Sequence, residues 1–447
     1  MPSPPAPLWT RGAVRLTCGI LVVAAVIAVY ACTSQRVAVR ANPVSWTALS
    51  AEEAAAAFPP RRAKSVDPAG CGGNAVSIPD TNHLGFWPIK TVRLAVHVLY
   101  QPSRPVPIDS SRGARTFDAA LGRANAILRE PKAMWMPADD PAPAWPSRMR
   151  YALAEDPDGE GPALYFHADD EIPYHVHRGR NINIGNRAAY RRYAESWDSV
   201  LHVIGLSHDP DSLASTTYMN SSSGVALGNR FIKLVHHWED AGQLAPHAVN
   251  LLHEGGHIYG LAHAWGRDGC EDTPQHSGKC WNFNEPPGCT EVSNNLMDYS
   301  AHASTFTPCQ IGRMHARMGD VENLARTFLE PAWCEGRPGG RIVLRDSFTV
   351  RHEADVEGSI ELMPGAYLDV ACRLSVPAGD SIIVHAGATL RVSTGRLHNS
   401  CGLPWAGVFV VGKAPKRVCL EYGPEATFEG ALGGVWISPA ADASAAP

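Results

Sequence analysis

The sequence carries no long basic run, and its formal net charge is −5. A nucleic-acid-binding surface needs a clustered positive footprint, so nucleic acid is excluded as a partner. No cysteine pair has the C-x-x-C spacing of a zinc knuckle or a dithiol redox site. The apolar run "LTCGILVVAAVIAVYAC", Leu16–Cys32, is short of the roughly 20 residues that a bilayer-spanning helix needs. Strand and helix patterns do not alternate strictly, which excludes a purely parallel α/β fold and leaves an α+β arrangement. What is present is typical of a folded chain: 45% hydrophobic residues, 19% charged, 12 Trp, 12 Tyr and 11 Phe. At 447 residues the chain is long enough for about two or three domains.

Arg11 and Arg15 precede the apolar run, which is the layout of a secretory signal over residues 1–32. The run ends in Val29-Tyr30-Ala31-Cys32, which resembles a bacterial lipobox. On that reading Cys32 becomes the lipidated first residue of a surface or outer-membrane lipoprotein. Ordinary cleavage, giving a secreted protein, and a retained N-terminal anchor are the alternatives. All three put the rest of the chain outside the cytoplasm. Of the 11 cysteines, nine follow Cys32, and an oxidising compartment favours pairing most of them. Nine is odd, so at least one is expected to be free or to pair with another chain.

Residues 33–70, rich in Ala and Pro, read as a tether or pro-like segment. From residue 71 the pattern tightens. "KTVRLAVHVLY" sets Val92, Leu94, Val96 and Val98 on one face of a strand. "FDAALGRANAILRE" has helical spacing, and "RMRYALAEDPDG" ends a strand in a turn. "NINIG" (181–185), "VLHVIGL" (200–206) and "GVALGNRFIKLV" (224–235) are further strand candidates, and Pro246 is expected to start a helix. Residues 338–437 are expected to form a separate all-β domain. There "PGAYLDV" and "AGATLRV" share Gly-Ala-x-Leu at an offset of 22, which suits a coil of a parallel β-helix; a β-sandwich is the competing reading. Residues 438–447 read as a disordered tail.

The chemistry concentrates in "HEGGHIYGLAH", residues 253–263. On a helix, His253 and His257 lie one above the other and can aim two imidazoles at one ion. Glu254 is beside the first and can reach a water on that ion. Gly260 can take the positive φ of a sharp helix end, and the turn returns His263 as a third ligand. Three ligands and one open position are what a catalytic zinc site requires. The competing reading is a histidine-rich helix end. About thirty residues on stands "NNLMDYS", whose Met297, beside a tyrosine, reads on its own as core. His175, His177, His208, His236 and His237 read as surface or core histidines.

The extended motif and its methionine resemble the metzincin peptidases. "CEDTP" (270–274), "NNLMDYS" and "FTPCQIGRM" (306–314) narrow the resemblance to the pappalysins, or cytophagalysins, over about residues 71–334. The resemblance implies a catalytic domain at 71–337: a twisted mixed sheet, a backing helix and an active-site helix. It implies a zinc endopeptidase acting on a protein or peptide substrate. His253, His257 and His263 would be ligands, Glu254 the general base and Met297 the floor, with Tyr299 donating to the oxyanion. It also implies disulfides Cys270–Cys289 and Cys280–Cys309, and a Ca2+ site at Asp268, Glu271 and Asp272. Cys71 with Cys334 would bracket the domain; alternatively, the Cys71 thiolate would block the open metal position. A peptide would bind as an added strand along the edge at Gly224–Leu227. The rival function is a surface binding or adhesion lipoprotein with this fold and little turnover, against which the intact Glu254 stands.

Overall fold

A computed structural model describes residues 35–38, 71, 73–103, 110–135, 141–172, 188–194, 197–209, 214, 223–227, 230–235, 244–273, 293–299, 302–411, 419–432 and 435–438. The signal segment with Cys32, "NINIG", Cys280, Cys289, His175, His177, His236 and His237 lie outside them. Among the described residues no helix is long and apolar enough to cross a membrane. The chain divides into two compact units. One is Gly70–Ala332 with Arg351–Val356; the other holds Trp333–Val350 and Glu357–Pro447 together with residues 1–69.

The first unit is built on a mixed sheet. Its strands are β1 (Lys90–Tyr100), β2 (Met149–Leu153), β3 (Leu164–Ala168), β4 (Leu201–Leu206), β5 (Ser223–Leu227) and β6 (Phe231–Val235). The order is β2–β1–β4–β6–β5, and β3 also pairs with β1. All pairings are parallel except β5 with β6. β1 is long enough to take β2 along Lys90–Leu94 and β3 along Val96–Tyr100 of one edge. One buried face was expected for β1, but both are covered: Ala95 and Leu99 are as enclosed as Val92 and Leu94. Parallel sheets are commonly covered on both faces. The run 224–235 is a hairpin rather than one strand, which makes β5 the antiparallel edge. The helix α1 (Ser110–Arg129) is locked to β2 through Asn125, whose amide donates to the Tyr151 carbonyl and accepts from the Tyr151 N–H, each at 2.8 Å. α2 (Leu244–Ile258) begins two residues before Pro246, which therefore sits in its first turn, where proline costs no hydrogen bond. α3 (Pro308–Gly319) completes the frame.

In the second unit every pairing between two described strands that both follow residue 340 is parallel. Arg341–Leu344, Ser359–Leu362, Ser381–His385, Gly407–Val411 and Val435–Ser438 form one sheet. Ser347–Val350, Tyr367–Val370, Thr389–Val392 and Cys419–Tyr422 form a second, and Arg373–Ser375, Arg396–His398 and Thr427–Phe428 run together in a third. This is coil stacking, not a sandwich. Leu368 pairs with Leu390 and Val370 with Val392, so the Gly-Ala-x-Leu repeat is one coil laid on the next. Gly365 (φ 92°) and Gly387 (φ 87°) make the corner, a conformation that L side chains rarely adopt. The leucine after each corner is fully buried. Within the segment read as a tether or pro-like segment, Gln35–Ala38 forms a strand antiparallel to Cys419–Tyr422.

One feature of the first unit had no sequence signal. His97 on β1, His202 on β4 and His167 on β3 form a hydrogen-bonded line. His202 Nε2 lies 2.6 Å from the Trp197 carbonyl, which can only accept, so that nitrogen carries the proton. His202 Nδ1 must then accept from His97 Nε2 at 2.9 Å, and His97 Nδ1 from His167 Nε2 at 3.0 Å. All three rings are neutral in this pattern. Burial, reinforced by its two neighbours, drives His97 down to about 2, and burial also lowers His167 and His202. The unfolded chain therefore binds these protons first as the pH falls below about 6.5. Stability is fully present above that pH and is lost progressively below it. Urea unfolding is expected to show a midpoint that falls from pH 7.5 to pH 5. In His97→Gln the fall should be shallower by about 1.4 kcal/mol per pH unit below 6.5. An unchanged slope would refute the neutral line.

Candidate metal centre

α2 presents His253 and His257 one turn apart, with ring centroids 4.9 Å from each other. The helix then ends in two hydrogen bonds, Leu261 N–H to the Gly256 carbonyl (2.9 Å) and Gly260 N–H to the His257 carbonyl (3.0 Å). That is the Schellman pattern, which requires a left-handed residue at its fifth position. Gly260, at φ 84°, supplies it. The reversal brings His263 Nε2 to 3.2 Å from His257 Nε2. One ring nitrogen from each of His253, His257 and His263 lies within 4.8 Å of the others, so the three can hold a metal ion.

In two of the three rings the other nitrogen is already used. His253 Nδ1 lies 2.7 Å from the Leu296 carbonyl, and His257 Nδ1 lies 2.8 Å from the Leu261 carbonyl. A carbonyl only accepts, so both Nδ1 atoms are protonated and both Nε2 atoms keep a lone pair on the side of the three-histidine cluster. Burial, with the neighbouring imidazoles, lowers His253 to about 3 and His263 to about 4, and burial also lowers His257. Three neutral, oriented imidazoles are a donor set that fits a borderline cation such as zinc.

Met297 is fully buried beneath α2. Its loop is held from both sides. Ala264 N–H donates to the Met297 carbonyl at 3.0 Å, and Met297 N–H donates to Asn295 Oδ1 at 2.8 Å. Asn295 and Gln310 then bond amide to amide, at 2.8 and 3.1 Å. Gln310 also closes the capping box of α3 with Thr307. One side chain thus fixes both the start of α3 and the floor loop. Asp298 accepts from the Ser293 hydroxyl (2.7 Å) and the Tyr299 N–H (2.8 Å). Tyr299 stays 41% exposed beside the centre, with its ring 5.0 Å from that of His263 and 5.6 Å from that of His253. Trp265, which sequence reasoning passed over, stacks on His263 at 4.2 Å and meets Tyr299 edge-on at 4.6 Å.

Glu254 is buried, and burial raises its carboxyl to about 7, partly opposed by a hydrogen bond from the Ala226 N–H of β5. The edge strand expected to receive a peptide is therefore the strand that touches Glu254.

The cysteine expectations are corrected. Cys270 is bonded to Cys309, not to Cys289, and Cys309 is therefore not paired with Cys280. This disulfide ties the loop after His263 to the first turn of α3. Cys334 is bonded to Cys401, which removes the Cys71–Cys334 bracket. Cys71 is itself in a disulfide, so it offers no thiolate to a metal. Two of the acidic residues after His263 hold the loop. Asp268 accepts from Cys270 N–H (3.0 Å) and the Thr273 hydroxyl (2.8 Å), and Asp272 accepts from Cys309 N–H (2.9 Å). Asp268, Glu271 and Asp272 are not gathered into a cation site among the described residues. The cluster of Cys270, Asp272 and Cys309 has its sulfurs joined to each other. His208 is a buried core histidine.

No family model matches the chain, and no curated protein matches it. Among solved structures it is similar to mirolysin in complex with compound 9. Identity is 17% and the TM-score 0.38, over 54% of this chain and 96% of that one. A likeness this distant assigns no activity to the three histidines.

The two glycines inside the motif have a packing reason. A β-carbon on Gly255 would collide with the Tyr151 hydroxyl, and one on Gly256 would come within 2.5 Å of Met297 Sδ. Alanine is the better helix former by about 0.5–1 kcal/mol, but overpacking costs about 1–3 kcal/mol. Gly255→Ala and Gly256→Ala are therefore each expected to lower stability by about 1–2 kcal/mol in denaturant unfolding. A gain in stability would show that α2 has room there.

Proposed function

We propose that the chain is a zinc-dependent endopeptidase. The observation that carries the proposal is the trio of imidazoles with one ring nitrogen each converging within 4.8 Å, set beside a buried carboxylate. Zinc held by His253, His257 and His263 would supply a Lewis acid and a water acidic enough to react near neutral pH. Glu254 receives the proton of the attacking water and passes it to the leaving amine. The Ala226 amide keeps that carboxylate in place between the two transfers. Tyr299, exposed and adjoining two of the ligands, donates to the oxyanion. A peptide substrate lies along β5 as an additional antiparallel strand, since that edge has no other partner in the described sheet.

The motifs "HEGGHIYGLAH", "CEDTP" and "NNLMDYS" support membership of the pappalysins within the metzincins. The disulfides Cys270–Cys309 and Cys334–Cys401 support an address outside the cytoplasm. A lipid anchor at Cys32 is the form of attachment that fits the signal pattern, and the coil-stacked unit is a candidate for holding the substrate or the surface.

Glu254→Ala is expected to lower kcat on casein or a quenched peptide by about 10²–10⁴-fold while the bound zinc stays near one per chain. His263→Ala should lose the metal as well as the activity. Phenanthroline should abolish wild-type turnover, and added zinc should restore it. Full activity in Glu254→Ala would exclude the mechanism. A wild-type chain that binds zinc but cuts nothing would instead favour a binding protein.

A further inference from the structure

We infer that Gly224 is a positioning residue for Glu254: the missing side chain on β5 is the space that the carboxylate arm occupies. The inference rests on the peptidase reading. A β-carbon built on Gly224 would lie 2.6 Å from Glu254 Cγ, 2.8 Å from Oε1 and 3.0 Å from Cδ. Real β-carbons essentially never approach that closely. Gly224 does not have a left-handed φ, unlike Gly260. Backbone freedom is therefore not the reason for glycine at this position. The reason is steric, and it is specific to one side chain.

The neighbouring geometry gives the contact a purpose. Two residues along the same strand, the Ala226 N–H donates to the Glu254 carboxylate. β5 thus holds this arm in two ways, with an open space beside its stem and a donor at its tip. Glu254 is 6% exposed and sits in the first half of the metal motif on α2. Gly224 and Ala226 pair with Leu234 and Ile232 of β6, so the edge strand itself is anchored by the sheet. A side chain at 224 meets a flexible arm, not backbone, and the arm can yield by rotating. The fold then survives while the carboxylate leaves the Ala226 amide and its place beside the ligands. A reacting group misplaced by about 1 Å can cost about 100-fold in rate.

The test compares wild type, Gly224→Ala, Glu254→Ala and a control, Gly122→Ala, in the full chain. Gly122 lies on α1 with open space around it. Two readouts are needed. The first uses metal-free protein: amide hydrogen exchange at Ala226. It should speed up in Glu254→Ala, which removes the acceptor, and in Gly224→Ala, which displaces it, but not in Gly122→Ala. The second uses zinc-loaded protein and a quenched peptide. Gly224→Ala should lower kcat by about 100-fold with KM, zinc content and thermal midpoint unchanged, a split that general loosening of the strand would not give. Unaltered Ala226 exchange in Glu254→Ala would overturn the inference, because the clamp would not exist. So would a Gly224→Ala enzyme as active as wild type. A wild-type chain without turnover would overturn the peptidase reading and the catalytic part of the inference together, while the exchange data would still report whether the clamp exists.

Discussion

Helix α2 lies so close to its surroundings that two of its residues have no room for a β-carbon. Tyr151 of β2 occupies the space beside Gly255, and Met297 of the floor loop occupies the space beside Gly256. That approach sets everything else at the centre. It brings the Leu296 carbonyl within reach of His253 Nδ1 and so decides which nitrogen faces the ion. It also seats the floor loop against the helix, where Asn295 and Gln310 connect it to the cap of α3. Remove the close contact and the tautomers, the floor and the helix cap lose their common reference.

The centre was largely legible in the sequence because its chemistry needs fixed spacing. Two histidines four apart, a glycine and a third histidine make a helix and a reversal, and both are found. Gly-Ala-x-Leu at an offset of 22 was legible for the same reason, as a turn and a buried position repeated in register. What stayed hidden depends on contacts between distant segments. The glycines at 255 and 256 lower the intrinsic helix propensity, and only Tyr151 and Met297, from distant segments, account for them. The pairing of Cys270 with Cys309 follows from the path of the loop into α3, which spacing does not encode. The His97–His202–His167 line crosses three strands whose order no local pattern reveals.

The histidines of this chain thus serve two opposite ends with one device. In both clusters burial holds the rings neutral, and a backbone carbonyl fixes the tautomer. At the centre the remaining lone pairs are left facing one another around a point. In the sheet His202 and His97 each give their lone pair to the next ring's N–H. Counting histidines does not separate these cases. The direction of each N–H does.

The Cys270–Cys309 bond closes residues 270–309 into a covalent ring. Met297 and Tyr299 lie inside that ring, while His253, His257 and His263 lie outside it. One break in the ring therefore separates no fragment, and both ends of the broken loop remain fastened at the first turn of α3. Such a break would convert the chain between Cys270 and the floor from a loop into two tethered arms. For a protein that is proposed to cut peptide bonds, this is the stretch of its own centre that can be nicked while every piece is retained.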